Sequence, residues 1–179
     1  MPRFVVLLRG VNVGKGNRVA MAGFKVLLDG LGYTDVKTLL NSGNAVFASS
    51  GRSGAKHAAA IAAQVESRFG VTTPVVVKSA AEFAAIINGN PMVPPEADHS
   101  RFLVAFGPDE SALQALRSLL LLAGDPERLV ITGRAAYLHC PGGLRESKVG
   151  EAMLGRAGRG VTTRNWATVL KLGALLGVA

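Results

Sequence analysis

Two stretches of this 179-residue chain spell the same order of elements, and that repeat narrows the choice of folds more than any single motif. In the first stretch, Pro2–Leu8, with its apolar run Phe4–Leu8, predicts a buried strand. Ala20, Phe24, Leu27, Leu28 and Leu31 recur at helical spacing and predict a helix from about Val19 to Leu31, ended by Gly30 and Gly32. Short strands over Val36–Leu40 and Ala45–Ala48 flank Asn41-Ser42-Gly43-Asn44, a cluster of turn formers that signals a hairpin. An Ala-rich helix, Ala55–Phe69, stops at Gly70, and Pro74–Lys78 is a Val-rich strand. Ser79 with Glu82 three residues on makes a capping box for a helix to about Ile87.

The second stretch repeats the order. Arg101–Phe106 is a strand and Asp109–Leu122 a helix. Strands over Arg128–Ile131 and Ala135–His139 surround Thr132-Gly133-Arg134. A short helix at Ser147–Leu154, a strand at Gly160–Thr163 and a helix at Trp166–Leu176 follow. Each half therefore reads β-α-β-β-α-β-α. The hairpins match in letters, "SGNAVF" from Ser42 beside "TGRAAY" from Thr132. So do the last strand–helix junctions, Lys78-Ser79 beside Arg164-Asn165. The expectation is an α+β chain of two ferredoxin-like (βαββαβ-type) subdomains from an internal duplication. A single larger mixed sheet with the same element order is the alternative. Between the halves, "NGNPMVPPEADHS" (Asn88–Ser100) has three prolines and no periodicity. This places a first subdomain at residues 1–90, a linker at 91–100 and a second subdomain at 101–179.

A chain of this length can bury a core without metal or disulfide. Its 49% apolar and 18% charged residues exclude disorder. Cys140 is the only cysteine, so no intrachain disulfide can form, and a cytoplasmic setting fits. The run Phe4–Leu8 is too short for a signal peptide and is closed by Arg9, and "SLLLLAG" (Ser118–Gly124) is far below a membrane span. No membrane partner is expected.

Charge is unevenly placed along the chain, which carries a formal net +8. Met1–Leu28 holds Arg3, Arg9, Lys15, Arg18 and Lys25 with no acid. Arg145–Ala179 holds six basic residues against Glu146 and Glu151, whereas Ser79–Glu127 holds two against seven acids. Basic ends of this kind attract phosphates or nucleic acid. Ordinary solvated charge on a basic protein is the plainer reading.

"LLRGVNVGKGNR" (Leu7–Arg18) approaches a P-loop and fails. Arg9 stands where the first glycine belongs, and Gly16 replaces the hydroxyl residue that holds magnesium. The glycines at 10, 14 and 16 miss the dinucleotide spacing too. What remains is a glycine-rich strand-to-helix loop with exposed backbone amides, to which Arg9, Lys15 and Arg18 can add charge-assisted bonds. Tight backbone geometry and satisfied turns account for the same letters without a ligand. In "TTRNWATVLKL" (Thr162–Leu172), Asn165 can cap the last helix, and Trp166, Val169, Leu170 and Gly173 form its inner stripe. Arg164, Thr168 and Lys171 lie along another face. Trp166 is expected as a core anchor rather than a stacking platform.

Other chemistry finds little support. Cys140 follows His139, but strand neighbours point to opposite faces, so a buried inert thiol is expected rather than a dyad. His57, His99 and His139 show no metal spacing, no carboxylate pair is placed for acid–base work, and neither metal nor cofactor is implied. An RNA-recognition sheet needs exposed aromatics, whereas the strand after the first hairpin offers Ala45 and Phe47.

"LLRGVNVGKGNRVAM", "LLNSGNAVF" and "TTRNWATVLKL" together resemble the bacterial family known as domain of unknown function 1697. The resemblance spans essentially the whole chain. The chain has Lys15-Gly16 where members often have Gly then Lys, and Asn41 where Gln is usual. The resemblance implies a two-subdomain α+β fold with ferredoxin-like halves and no established activity.

The expected function is binding of a phosphorylated small molecule or a nucleic-acid backbone. Arg9, Lys15, Arg18 and Arg164 would supply charge, and Asn12, Asn41, Ser42, Asn44 and Asn165 would orient the ligand. A small-molecule transferase or hydrolase using the same pocket is one alternative. A homodimeric structural or interaction module is the other.

Overall fold

The computed structural model describes residues 1–179. Its elements run β1 (Arg3–Leu8), α1 (Met21–Gly30), β2 (Thr34–Leu39), β3 (Asn44–Ala48), α2 (Gly54–Phe69), β4 (Val75–Ser79) and α3 (Ala80–Asn88). The second half gives β5 (Phe102–Phe106), α4 (Glu110–Gln114), β6 (Arg128–Ile131), β7 (Ala136–His139), α5 (Lys148–Leu154), β8 (Thr162–Asn165) and α6 (Trp166–Leu176). The chain is a mixed α+β protein with two four-stranded sheets, ordered β2-β3-β1-β4 and β6-β7-β5-β8. Every neighbouring pair is antiparallel. Two compact units result: residues 1–84 with 172–179, and residues 85–171.

In the first unit, β1 is central, with Leu7 opposite Asn44 of β3 and Leu8 opposite Val75 of β4. A central strand covered on both faces needs an unbroken apolar run, and Phe4 to Leu8 are all buried. Phe4, Val6 and Leu8 share one core with Ala45 and Phe47 of β3, Phe24, Leu27 and Leu28 of α1, and Ile61 and Val65 of α2. Full burial of each large side chain stabilises the fold by about 1.5–3 kcal/mol. Because Ala45 and Phe47 are wholly buried, β3 presents no aromatic surface to a base. His57 lies among Phe4, Tyr33 and Phe47. Its Nε2 can only donate to the Gly51 carbonyl at 3.0 Å, so a neutral ring accepts the Tyr33 hydroxyl at Nδ1, 2.8 Å away.

Helix ends follow local chemistry. Ser79 and Glu82 form the reciprocal capping box, with Ser79 N–H donating to Glu82 Oε2 at 2.7 Å and Glu82 N–H to Ser79 Oγ at 3.2 Å. Ser53 caps α2, Asp109 caps α4 and Ser147 caps α5, and Gly70 closes α2 in the left-handed conformation at φ +66°.

In the second unit, Leu103, Ala105, Ala136, Leu138 and Cys140 share a core with Leu113, Leu116, Leu119, Val149 and Met153. Here one helix departs from expectation. The predicted helix over Asp109–Leu122 is α-helical only to Gln114 and continues as a 3₁₀ helix over Ala115–Leu121. The buried leucines 113, 116 and 119 fall at intervals of three, the repeat of a 3₁₀ helix, so the tighter winding keeps all three on one face. The strand expected at Gly160–Thr163 lies instead at Thr162–Asn165, pairing with β5 from Phe106↔Thr162 to Leu103↔Asn165.

Candidate functional site

The opening loop and the first hairpin are tied together. Asn12 sits in the left-handed region at φ +58°, which its short polar side chain tolerates. Its Nδ2 donates to the Val19 carbonyl at 2.8 Å and the Asn41 carbonyl at 2.7 Å. Its Oδ1 accepts the Val19 amide at 2.9 Å. The Asn12 backbone amide closes the loop base by donating to Asn17 O at 3.0 Å. On the hairpin side, Leu8 N–H donates to Gly43 O at 2.9 Å. Gly43 has φ +83°, and a Cβ there would stand 2.6 Å from Leu8 Cβ and 2.8 Å from Val11 Cγ2, so only glycine fits.

The loop itself, Val13–Arg18, stands out in solvent. Lys15 is exposed, and none of the bonds above involves Lys15 or Gly16. Arg18 is also exposed and donates to the Gly14 carbonyl, which folds its guanidinium back over the loop. Arg9 is half-buried, its backbone fixed by N–H donation to Pro74 O at 3.2 Å and by the Thr73 hydroxyl donating to its carbonyl. A Cβ on Gly10, Gly14 or Gly16 would meet nothing within 4 Å. Gly10 and Gly14 have positive φ, at +63° and +65°, whereas Gly16 has neither that conformation nor a close neighbour to explain it.

The remaining asparagines hold structure. Asn44 is fully buried, and its Nδ2 donates to Leu39 O at 3.1 Å and Ser42 Oγ at 2.9 Å. Ser42 and Asn41 are exposed at the hairpin tip. In the second unit, Asn165 Oδ1 accepts the Thr168 amide at 2.9 Å and so caps α6. Arg164 is 7% exposed, with Nη1 donating to Thr162 Oγ1 and Thr163 O, each at 2.8 Å. Burial pushes its pKa down to about 10, and the group stays charged at neutral pH. Trp166 is buried, its ring edge-on to Phe102 at 5.6 Å. Thr168 is buried and Lys171 exposed, so the face they were expected to share with Arg164 is not a continuous basic surface.

Two further places carry titratable groups. His139 Nε2 lies 2.9 Å from Asp98 Oδ2, while the neighbouring Cys140 is wholly buried in the core. Burial raises the thiol pKa against a lowering hydrogen bond from Ser147. The second unit also has an open cavity of about 340 Å³ between 122–127 and 142–148, lined in part by Asp125, Glu127, Glu146 and Lys148. It contains none of the expected site residues. No group of three or more His, Cys, Asp or Glu is arranged to hold a metal ion. No helix is long and apolar enough to cross a membrane.

Sequence reasoning passed over one residue of the loop and one on the neighbouring hairpin. Val13 is 71% exposed, and Leu40 is 55% exposed at φ +56°. The only signal for Leu40 is its place next to Asn41-Ser42-Gly43, one residue past the last residue of β2.

Residues 1–137 match a family of proteins of unknown function, DUF1697. Among solved structures, a conserved bacterial protein, SP0830 from Streptococcus pneumoniae, superposes with a TM-score of 0.74 at 25% identity, covering 98% of each chain. No curated protein matches the sequence.

Proposed function

The chain belongs to the DUF1697 family, and within that family we propose that it binds a phosphorylated ligand, with nucleic-acid phosphates included, through the Val13–Arg18 loop. The observation that carries this reading is Gly16. Neither backbone conformation nor packing calls for glycine there, yet it lies between exposed Lys15 and Arg18 in a loop rooted by Asn12. A residue without a side chain lets a phosphate approach the backbone amides, and the flanking cations add charge-assisted bonds. The surrounding field supports it, since Met1–Leu28 has five basic residues and no acid.

We also read the two units as ferredoxin-like copies of one ancestral segment. The support is their shared element order and the equivalent strand orders, second-third-first-fourth in each sheet. A cytoplasmic setting is part of the proposal, on the support of one buried free thiol.

The test is titration of labelled RNA, DNA and nucleotides at low and high salt, with the wild-type chain and a Lys15→Glu/Arg18→Glu variant. Binding should weaken as salt rises, because phosphate contacts release counterions. The charge reversal should lower low-salt affinity at least about tenfold, equivalent to ~1.4 kcal/mol. Absence of binding to every probe at low salt refutes the proposal.

A further inference from the structure

Leu40 carries two unfavourable features at once. Its φ of +56° crowds an L side chain against the backbone. The other non-glycine residues at positive φ are Asn12, Asn17 and Asp35, types that relieve the conformation through local hydrogen bonds. Leu40 has no polar group to do so, and its side chain is 55% exposed. A lone exposed leucine means little. One held in a disfavoured conformation beside a basic loop is a mark of a binding surface.

Its position supplies the second argument. Leu40 adjoins Asn41, whose carbonyl accepts the Asn12 side chain at 2.7 Å, and Asn12 adjoins Val13, 71% exposed. Two exposed aliphatic residues thus flank the bond that roots the loop carrying Lys15 and Arg18. A bare phosphate has no use for apolar neighbours, whereas a phosphate ester bearing a flat apolar ring does. The sheet cannot provide that contact, because Phe4 and Phe47 are fully buried.

Resting on the phosphate reading above, we infer that the loop recognises a nucleotide unit. The phosphate lies against Gly14–Arg18 and the base against Leu40 and Val13. In a duplex the faces of the bases are stacked away, so the nucleotide is a free one or part of a single strand. Aliphatic contact carries no hydrogen-bond readout, so the recognition tolerates any base.

The experiment compares an oligothymidine with an abasic strand of equal length and charge, both labelled. Thymidine monophosphate and inorganic phosphate serve as competitors, and anionic vesicles as a third surface. The base-bearing strand should bind about fivefold to tenfold tighter than the abasic one, as expected for burying about one to two methylene-sized increments of apolar surface. Leu40→Gly should shrink that margin toward unity while raising the urea midpoint, because glycine accepts the left-handed conformation. Competition by thymidine monophosphate above that of inorganic phosphate supports the free nucleotide as source, and a margin seen with strands alone supports the single strand. Equal affinity for the two strands overturns this inference and leaves the phosphate reading standing. A lower urea midpoint in Leu40→Gly overturns it as well, by assigning Leu40 to packing. Vesicle binding in place of either strand also overturns it. Failure of both strands, thymidine monophosphate and inorganic phosphate alike to bind at low salt removes the phosphate reading itself.

Discussion

Replacing Asn12 tests whether the opening loop is rooted as the geometry indicates. Asn12→Ala removes two donor bonds and one acceptor bond at 2.7–2.9 Å, of which the one to Asn41 O is exposed and the two to Val19 are partly buried, together with a longer exposed contact to Asn41 Oδ1 at 3.4 Å that adds little. At about 0.5–1.5 kcal/mol net for each bond, with the exposed one at the low end, the loss is about 2 kcal/mol. Alanine must also hold φ +58° without the polar side chain that eases it, which adds about 1 kcal/mol. Asn12→Gly loses the same bonds but accepts the conformation, so it should cost about 2 kcal/mol against about 3 for alanine. The order Gly above Ala is the reverse of that at ordinary backbone positions, and it is the signature of the argument. With a urea slope of about 2 kcal/mol/M, the midpoints should fall by about 1 M and 1.5 M. Hydrogen exchange gives a local reading, since the Val19 amide donates to Asn12 Oδ1 and should lose protection in both variants. Midpoints within about 0.25 M of the wild type, or alanine more stable than glycine, would refute the account.

Gly43→Ala should be severely destabilising, because the new Cβ meets Leu8 Cβ at 2.6 Å and Val11 Cγ2 at 2.8 Å with φ at +83°. Overpacking and backbone strain together cost about 2–4 kcal/mol, so a thermal melt should drop by about 6–12 °C, and a drop of under about 2 °C would show that the hairpin moves aside. The tyrosines give a pH test. Burial pushes Tyr137 up to about 12, against a lowering influence of Arg134, and burial also raises Tyr33. The folded state therefore keeps its phenol protons where the unfolded chain has lost them. The stability contributed by Tyr137 is complete below pH ~10 and is lost as pH rises from ~10 to ~12. Phenolate absorbance should show Tyr137 ionising at about pH 12 in the native protein and Tyr33 displaced in the same direction, with both near pH ~10 in denaturant, and a native midpoint at the ordinary value counts against both assignments.

Elements governed by local chemistry were open to reading from the letters alone. Ser79 and Glu82 need only each other to make a capping box, and both bonds are present. The run Phe4–Leu8 needs only a central place in a sheet, which β1 occupies. What stayed hidden depends on surroundings. Leucines at 113, 116 and 119 serve an α-helix or a 3₁₀ helix alike, and the choice is made by packing against β5, β7 and α5 residues in the core. Strand β8 is displaced toward the C-terminus because Arg164 and Asn165 look like loop residues, whereas Arg164 is a buried strand residue bonded to Thr162 and Thr163. The same distinction sorts the candidate site. A polar letter in a turn advertises hydrogen-bonding capacity but not where that capacity goes. Asn12, Asn44 and Asn165 direct side-chain atoms to backbone groups of their own unit, at 2.7–3.1 Å. Asn12 so engaged roots the loop, Asn44 braces the hairpin and Asn165 starts α6. The residues facing solvent at the loop and the hairpin tip include Lys15, Asn17, Arg18, Asn41, Ser42, the bare backbone at Gly14 and Gly16, and the aliphatic pair Val13 and Leu40. A surface of that composition offers positive charge, backbone amides and a small apolar rim, with no acid or histidine within the Val13–Arg18 segment. Under the proposed reading such a surface would hold an anion that carries an apolar group, and general acid–base chemistry there would need a proton carrier brought in from outside the loop.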